Sequence, residues 1–344
     1  MGWPGPGTPG DIPESDPSDS SPTAGLLSSQ VVPVHFTDEV NIDNQHFVCE
    51  NHLGVQDYQL YYNGCCNATF WPLFHSMPDK AVFDETFWVA YRRINELFAR
   101  ETIRALEEKL ASDPDSDNIP IVWIHDYHLM LAATTIRQIA EEKDILCKIG
   151  FFLHIPFPPW DMVKIFPWHD LILQGILGCD LVGFHIEDYC INFIDSCARG
   201  LGCRVDRVGK LVEHGGRTVR VRPLPISIPY ERFHQMAQEA PESQFSGLKV
   251  VPIYFMYFLF PKKNQVILGV DRADYTKGLA NRFKAFERFL SDHPEFLGKV
   301  MLFQIAVPSR TDVKEYQELK ENLDKLVGQI NGRLGSCSKA KGCL

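Results

Sequence analysis

The chain has 344 residues, 45% of them hydrophobic and 23% charged, with a formal net charge of -10. That length suits two domains and that composition a soluble globular protein. The negative balance argues against nucleic acid or an anionic membrane as partner, so a phosphate ligand would have to be held by particular Arg and Lys residues.

The ten cysteines show no zinc-ligand spacing. No charged-then-apolar leader opens the sequence. The expectation is reduced thiols in a cytoplasmic protein. Asn67-Ala68-Thr69 has the form of a glycosylation acceptor, a triplet that often arises by chance.

Met1 to Thr23 is rich in Pro, Gly, Ser and Asp and cannot bury a core by itself. Gln30 to Val34 fits a short strand. Tyr61 to His75 is dense in aromatic and small polar residues. It reads either as core packing around a bend or as a sugar site, where ring faces stack on a pyranose. Composition alone favours the packing reading. Phe87 to Leu110 carries apolar residues at helical spacing (Phe87, Ala90, Ile94, Leu97, Phe98), and the acidic run from Ser112 to Asp117 ends that helix.

Ile121 to Pro158 is the organising stretch. Two apolar runs of strand length, around Ile121–Ile124 and Ile149–Leu153, each end in polar, ring-rich residues. Ala133 to Lys143 between them reads as a helix. This is a β-α-β unit whose strands are expected to be parallel and buried on both faces. Ligands of open parallel sheets sit at the carboxyl ends of the strands. Those ends carry His125, Asp126, His128 and His154. Strand-end residues satisfied by nearby backbone are the plainer alternative.

Asp161 to Leu177 then reads as one helix, Leu181 to Phe184 as a strand, and His185 to Asp188 as the opening of another helix. Thr218 to Val221 is a strand, and the proline-rich Pro223 to Pro229 an extended connector. Val250 to Phe260 is an apolar aromatic run of eleven residues, too short for a bilayer, which needs about 20. Gln265 to Val270 reads as a buried strand. It runs into Asp271-Arg272-Ala273-Asp274-Tyr275-Thr276-Lys277-Gly278-Leu279, and Ala280 to Leu290 is a helix. Arg272 and Lys277 beside a helix N-terminus make a workable diphosphate site. A surface salt-bridge cluster is the alternative. Val300 to Ala306 is a strand that leads to Ser309-Arg310, and Tyr316 to Ile330 is an amphipathic helix. The tail from Leu334 to Leu344 has no periodic pattern.

These motifs resemble trehalose-6-phosphate synthase of glycosyltransferase family 20. The resemblance rests on Tyr61-Tyr62-Asn63 with Trp71-Pro72, Trp123 to His128, Gly150 to Pro158, Gly269 to Arg272 with Asp274-Tyr275 and Lys277 to Leu279, Ala306 to Arg310, and Ile330-Asn331-Gly332. It covers most of Gln30 to Arg333, and Asn63 to Trp71 is worded most like animal members. It implies an α/β fold of GT-B type, two Rossmann-like domains with parallel sheets facing a cleft, the second domain incomplete. The chain then divides into a flexible segment (1–29), an N-terminal acceptor-side domain lacking its first strand and Gly-rich loop (30–232), a linker with the atypical apolar run (233–264), a partial C-terminal donor-side domain (265–333) and a divergent tail (334–344).

The implied reaction moves glucose from UDP-glucose to glucose 6-phosphate, giving trehalose 6-phosphate and UDP, with retention and without a metal or other cofactor. Tyr62, Trp71, Asp126 and Arg310 are implied to hold glucose 6-phosphate. His154, Arg272 and Lys277 are implied to hold UDP-glucose. Asp126, His154, Arg272 and Lys277 form the implied catalytic set. UDP leaves as an anion, and losing one donor aimed at developing charge costs roughly 3–4 kcal/mol in comparable sites. The expected partners are the two small molecules, with self-association or pairing with a full-length synthase as the macromolecular options, and neither nucleic acid nor membrane.

Three departures stand out. The family's first strand with its Gly-rich loop does not precede Met1, its donor loops beyond Asn331-Gly332 do not follow, and Val250 to Phe260 replaces a short lead into the next strand. Ala273 also stands where the family usually has Leu. The alternative expectation is a truncated, non-catalytic relative that binds sugar phosphate or regulates a full-length synthase. Another nucleotide-sugar transferase of the same fold is less favoured by His125 to His128 and by Tyr62 to Trp71.

Overall fold

The structure, a computed structural model, describes residues 34–36, 47–49, 54–112, 118–239, 265–310 and 313–335. The chain divides into two compact units, Met1–Ile226 and Ser227–Leu344. Val250 to Phe260, the N-terminal Pro/Gly/Ser stretch and the tail from 336 onward lie outside the described residues.

The first unit is built on a six-stranded sheet. Its strands are β3 (Ile121–His125), β4 (Lys148–Phe152), β5 (Leu181–Phe184), β6 (Arg204–Asp206), β7 (Leu211–His214) and β8 (Arg217–Pro223). The order is β3-β4-β5-β8-β7-β6. The first four run parallel, and β7 and β6 extend the sheet antiparallel. A separate parallel pair joins β1 (Val34–Phe36) to β2 (Phe47–Cys49).

The helices follow the apolar periodicity. Glu85–Ser112 (α2) buries Trp88, Tyr91, Ile94 and Phe98 along one face and carries Arg100–Glu96 and Arg104–Glu108 ion pairs outside. Ala132–Glu142 (α3) buries Ala132, Ala133, Ile136 and Ala140, and its three alanines let neighbours approach closely. His169–Ile176 (α4) uses that closeness. A Cβ at Gly178, just past its end, would stand 2.4 Å from the Thr134 backbone nitrogen. Glu187–Leu201 (α5) ends on Gly202 at φ 67, a left-handed position that glycine fills without penalty. Burying side chains such as Ile124, Leu153 and Phe184, all 0% exposed, contributes about 1.5–3 kcal/mol each.

The second unit has Tyr230–Glu239 (α6), β9 (Gln265–Arg272), Leu279–Asp292 (α7), β10 (Val300–Val307) and Lys314–Gly335 (α8). β9 and β10 pair in parallel. Leu279, Phe283, Leu323 and Ile330 form the core beneath them, with Leu302 packed against it.

Four expectations are corrected. Tyr61 to His75 is not a bend: Gln59–Phe70 (α1) is wound as a π-helix, flanked by helical turns Val55–Tyr58 and Trp71–Phe74. Asp161 to Leu177 is not one helix but a turn, Trp160–Val163, followed by α4. Strand β3 is not buried on both faces. It is the edge of the described sheet, with Ile121 and Trp123 exposed. Nor is β9 a buried strand, since Leu268 and Val270 are 64% and 61% exposed.

Candidate functional site

In the first unit, the carboxyl ends of three adjacent parallel strands each deliver a histidine. His125 closes β3, His154 follows β4 and His185 follows β5. His125 Nδ1 lies 3.0 Å from His154 Nε2, and the rings of His154 and His185 are 5.9 Å apart between centroids. Phe152 packs against both His154 and His185. Burial pushes His125 down to about 4, with the neighbouring His154 adding to it. His154 is lowered by burial and then by His185. Both imidazoles are therefore neutral near pH 7, and one N–H donates to the other ring's lone pair.

Asp126 turns the chain out of β3 at φ 65. Aspartate is among the few residues that visit this left-handed region readily. Its backbone N–H donates to the Phe152 carbonyl (2.8 Å), and its Oδ1 accepts from the His154 N–H (3.3 Å). The carboxylate is thereby tied to the start of the His154 segment.

The residues after Asp126 are wired into α1 and α2. The Tyr61 hydroxyl donates to the His128 carbonyl (2.9 Å), and the Tyr91 hydroxyl donates to the Tyr127 carbonyl (2.8 Å). Asn95 Nδ2 donates to His128 O (3.1 Å), while its Oδ1 accepts from the Leu131 N–H (3.0 Å). The Tyr127 hydroxyl donates to Asn67 Oδ1 (3.0 Å), and Asn67 Nδ2 returns a bond to the Tyr62 carbonyl (2.9 Å). Tyr62 stacks on His128 at 5.8 Å and 9°. Trp71 packs on His75 at 4.3 Å and on Tyr127 at 5.9 Å. Tyr62, Trp71, Asp126 and His154 are thus gathered around one strand-end turn. Tyr62 and Trp71 are only 8% and 5% exposed, so both also serve the core.

Sequence reasoning missed Asn67, Tyr91 and Asn95. Asn95 left a usable signal: it is an amide on the apolar face of α2, one turn after Tyr91, and a buried amide needs partners.

In the second unit, β9 ends at Arg272, and Tyr275–Lys277 forms a single tight turn before Gly278 at φ 64 opens α7. Arg272 and Lys277 are both exposed. Lys277 stands at the positive end of a 14-residue helix, where anions are stabilised. The carboxylates nearby have arginine partners of their own. Asp271 pairs with Arg282 at 2.6 Å, which holds its carboxyl below the usual range, and Asp274 pairs with Arg310 at 3.3 Å. Arg310 is placed inside the unit: its side chain is 6% exposed, against an Asp274 that is fully buried. A groove of about 520 Å³ lies between the end of β10 and α8, lined by Ala306, Ser309, Tyr316 and Lys320 among others. Arg272, Lys277 and Arg310 do not line it. Among the described residues no group of three or more His, Cys, Asp or Glu is placed to hold a metal ion.

Parallel strands packed with helices in both units, with polar residues gathered at the strands' carboxyl ends, define an α/β protein of the kind whose open sheets take ligands at those ends. The chain belongs to glycosyltransferase family 20, whose profile matches residues 28–341. It is 40% identical over 279 residues to the "Alpha,alpha-trehalose-phosphate synthase [UDP-forming] 1" of Aspergillus niger, covering 80% of this chain and 50% of that one. The chain spans about half the length of the curated relatives it matches. Among solved structures it is similar to a Burkholderia xenovorans alpha,alpha-trehalose-phosphate synthase (UDP-forming) in complex with glucose-6-phosphate. That match has 28% identity and a TM-score of 0.73, covering 90% of this chain and 67% of that one. It is also similar to an E. coli structure bound with UDP-2-fluoro glucose, at 29% identity and a TM-score of 0.73, covering 93% and 69%. The expected resemblance to trehalose-6-phosphate synthases and the GT-B type α/β fold agree with these matches. No helix among the described residues is long and apolar enough to cross a membrane.

Proposed function

We propose that the chain is the core of a UDP-forming glucosyltransferase that joins glucose from UDP-glucose to glucose 6-phosphate, giving trehalose 6-phosphate. One observation carries the reading. In a family 20 chain, the turn from β9 to α7 presents two exposed cations, Arg272 and Lys277, at a helix N-terminus. A leaving diphosphate gains negative charge as the glycosidic bond breaks. Cations fixed where that charge develops lower the barrier by several kcal/mol without reorganising during reaction.

Asp126 and His154 supply the polar ends of the first unit. Their bond to one another fixes the strand-end turn that a sugar would meet. A neutral His154 can bond a sugar hydroxyl as donor or acceptor. In the first unit Tyr62 and Trp71 are the acceptor-side residues of this reading, and in the second unit Arg310 is its acceptor-phosphate contact. Attack from the face that the diphosphate leaves, with a phosphate oxygen taking the hydroxyl proton, gives retention and needs neither metal nor cofactor. A cytoplasmic enzyme with two small-molecule substrates is the setting this chemistry fits.

Purified 344-residue chain supplied with UDP-glucose and glucose 6-phosphate should form trehalose 6-phosphate. An Arg272→Ala variant with the same circular dichroism spectrum should form at least a hundredfold less, in line with the loss of about 3 kcal/mol of charge stabilisation. Equal turnover by the two would remove Arg272 from the mechanism. A second reading is favoured by the half-length match to the relatives: a non-catalytic relative that binds glucose 6-phosphate or pairs with a longer synthase. Glucose 6-phosphate binding without any product from the folded chain would select it.

A further inference from the structure

Asp274 is 0% exposed, and its two carboxylate oxygens serve different segments. Oδ1 accepts from the Thr276 backbone N–H at 3.0 Å and from the Thr276 hydroxyl at 2.9 Å. Those bonds set the turn that carries Arg272 on one side and Lys277 on the other. Oδ2 takes the Arg310 guanidinium at 3.3 Å and the Tyr316 hydroxyl at 3.1 Å, and Arg310 also hydrogen-bonds Tyr316. The Arg310 guanidinium further lies 5.4 Å from the Tyr316 ring. Arg310 holds a left-handed backbone at φ 51, so its side chain is aimed by the loop as well as by the carboxylate.

An ordinary Asx turn uses one carboxylate oxygen and leaves the other to solvent. Here the second oxygen is spent on an arginine from after β10, 36 residues away in sequence. A carboxylate is an acceptor only, and four donors satisfy it without exposing it to water. We infer that Asp274 is a positioning residue shared by the two phosphate contacts of the second unit, its Oδ1 fixing the Arg272–Lys277 turn for the donor diphosphate and its Oδ2 fixing Arg310 for the acceptor phosphate. This rests on the functional reading above. Tyr316 belongs to the acceptor half of the device and Thr276 to the donor half.

The test is calorimetric titration of the full chain with UDP and, separately, with glucose 6-phosphate, for wild type and three variants. Thr276→Val keeps the branched shape and removes one donor to Oδ1. It should weaken UDP binding about tenfold, the worth of one hydrogen bond to a charged group, and leave glucose 6-phosphate within about twofold. Tyr316→Phe should do the reverse. Asp274→Asn should weaken both ligands by about tenfold or more. General destabilisation would not sort the two single-contact variants by ligand, so the split is the decisive readout. It stands even if Asp274→Asn fails to fold. Thr276→Val and Tyr316→Phe acting alike on both ligands, or on neither, would overturn the shared role, as would an Asp274→Asn chain that keeps either affinity. A folded wild type that binds neither ligand overturns the functional reading and this inference with it.

Discussion

Asp126 meets two demands at once. Its backbone stands at φ 65, and its carboxylate accepts the His154 N–H. A β-branched residue at a left-handed position costs about 1–2 kcal/mol. Asp126→Val should therefore lower the unfolding free energy in urea by that amount, whereas Asp126→Asn, which tolerates the same backbone, should stay within about 0.5 kcal/mol. Equal losses in the two variants would mean that the left-handed backbone is not what this position demands, since Asn tolerates it and keeps an acceptor for the His154 N–H. The neighbouring imidazoles predict a pH dependence. His125 has a folded pKa near 4 against an ordinary 6.5, because burial and the nearby His154 disfavour its charged form. The unfolded chain takes up the proton first as pH falls. This contribution to stability is complete above about pH 6.5 and fades as pH drops towards 4, and the lowered His154 adds with the same sign. Urea midpoints measured across pH 7 to 4 should fall, and His125→Asn should fall less steeply over the same window. Parallel curves would sink the assignment.

At the scale of elements, the amino-terminal ends of the first sheet's central strands are held by one carboxylate. Asp180, just before β5, pairs with Arg137 of α3 and Arg217 of β8, each at 2.8 Å, and accepts the Ile149 N–H of β4 at 2.8 Å. Burial would raise its pKa, but these donors bring it below the usual range. Four elements meet there. Asp180→Asn should destabilise the fold by about 1–3 kcal/mol, less than for a fully buried pair because the carboxylate is partly solvated. Gly178→Ala should cost a similar amount, about 1–3 kcal/mol, since its methyl group would collide with the Thr134 backbone. Chemical denaturation of both variants checks these values. The β3-α3-β4 unit was legible in sequence because two apolar runs flank a helical period, and a parallel pair admits few topologies. The break inside 161–177 has a local signal in Pro167, whose missing N–H and ring stop a helix. Strands β6 and β7, three and four residues long, leave no alternation to read. The strand-end residues Asp126, His154, Arg272 and Lys277 were legible as abrupt polar ends of apolar runs. Their supports were not, because Asn67–Tyr127 and Asp274–Arg310 join residues 60 and 36 apart, and such pairings have no local signature.

At the scale of the molecule, the two units differ in how well they cover their own sheets. The first packs helices with largely enclosed apolar faces against a six-stranded sheet, leaving one face of the edge strand β3 exposed. The second has two strands among the described residues, and a sheet of that size is marginal without further cover. Its ladder pairs Leu268 with Phe303, Val270 with Ile305 and Arg272 with Val307, so these side chains share one face. On it Leu268, Val270, Phe303, Ile305 and Val307 are 64%, 61%, 38%, 41% and 52% exposed. The other face rests on the cluster of Leu279, Phe283, Leu323 and Ile330, and few other apolar side chains among the described residues of this unit are buried. Little apolar burial therefore opposes the entropy of ordering 265–335, and this unit should open at lower free energy than the first. Hydrogen exchange read by mass spectrometry should show peptides from α7 and α8 exchanging well ahead of those from β3 to β5. Phe283→Ala, which removes a core ring at a cost of about 3–5 kcal/mol, should erase protection in α7, β10 and α8 while leaving 121–201 unchanged. Loss of protection in both units together would show that the chain folds as one cooperative body, and that the exposed apolar face is stabilised from elsewhere.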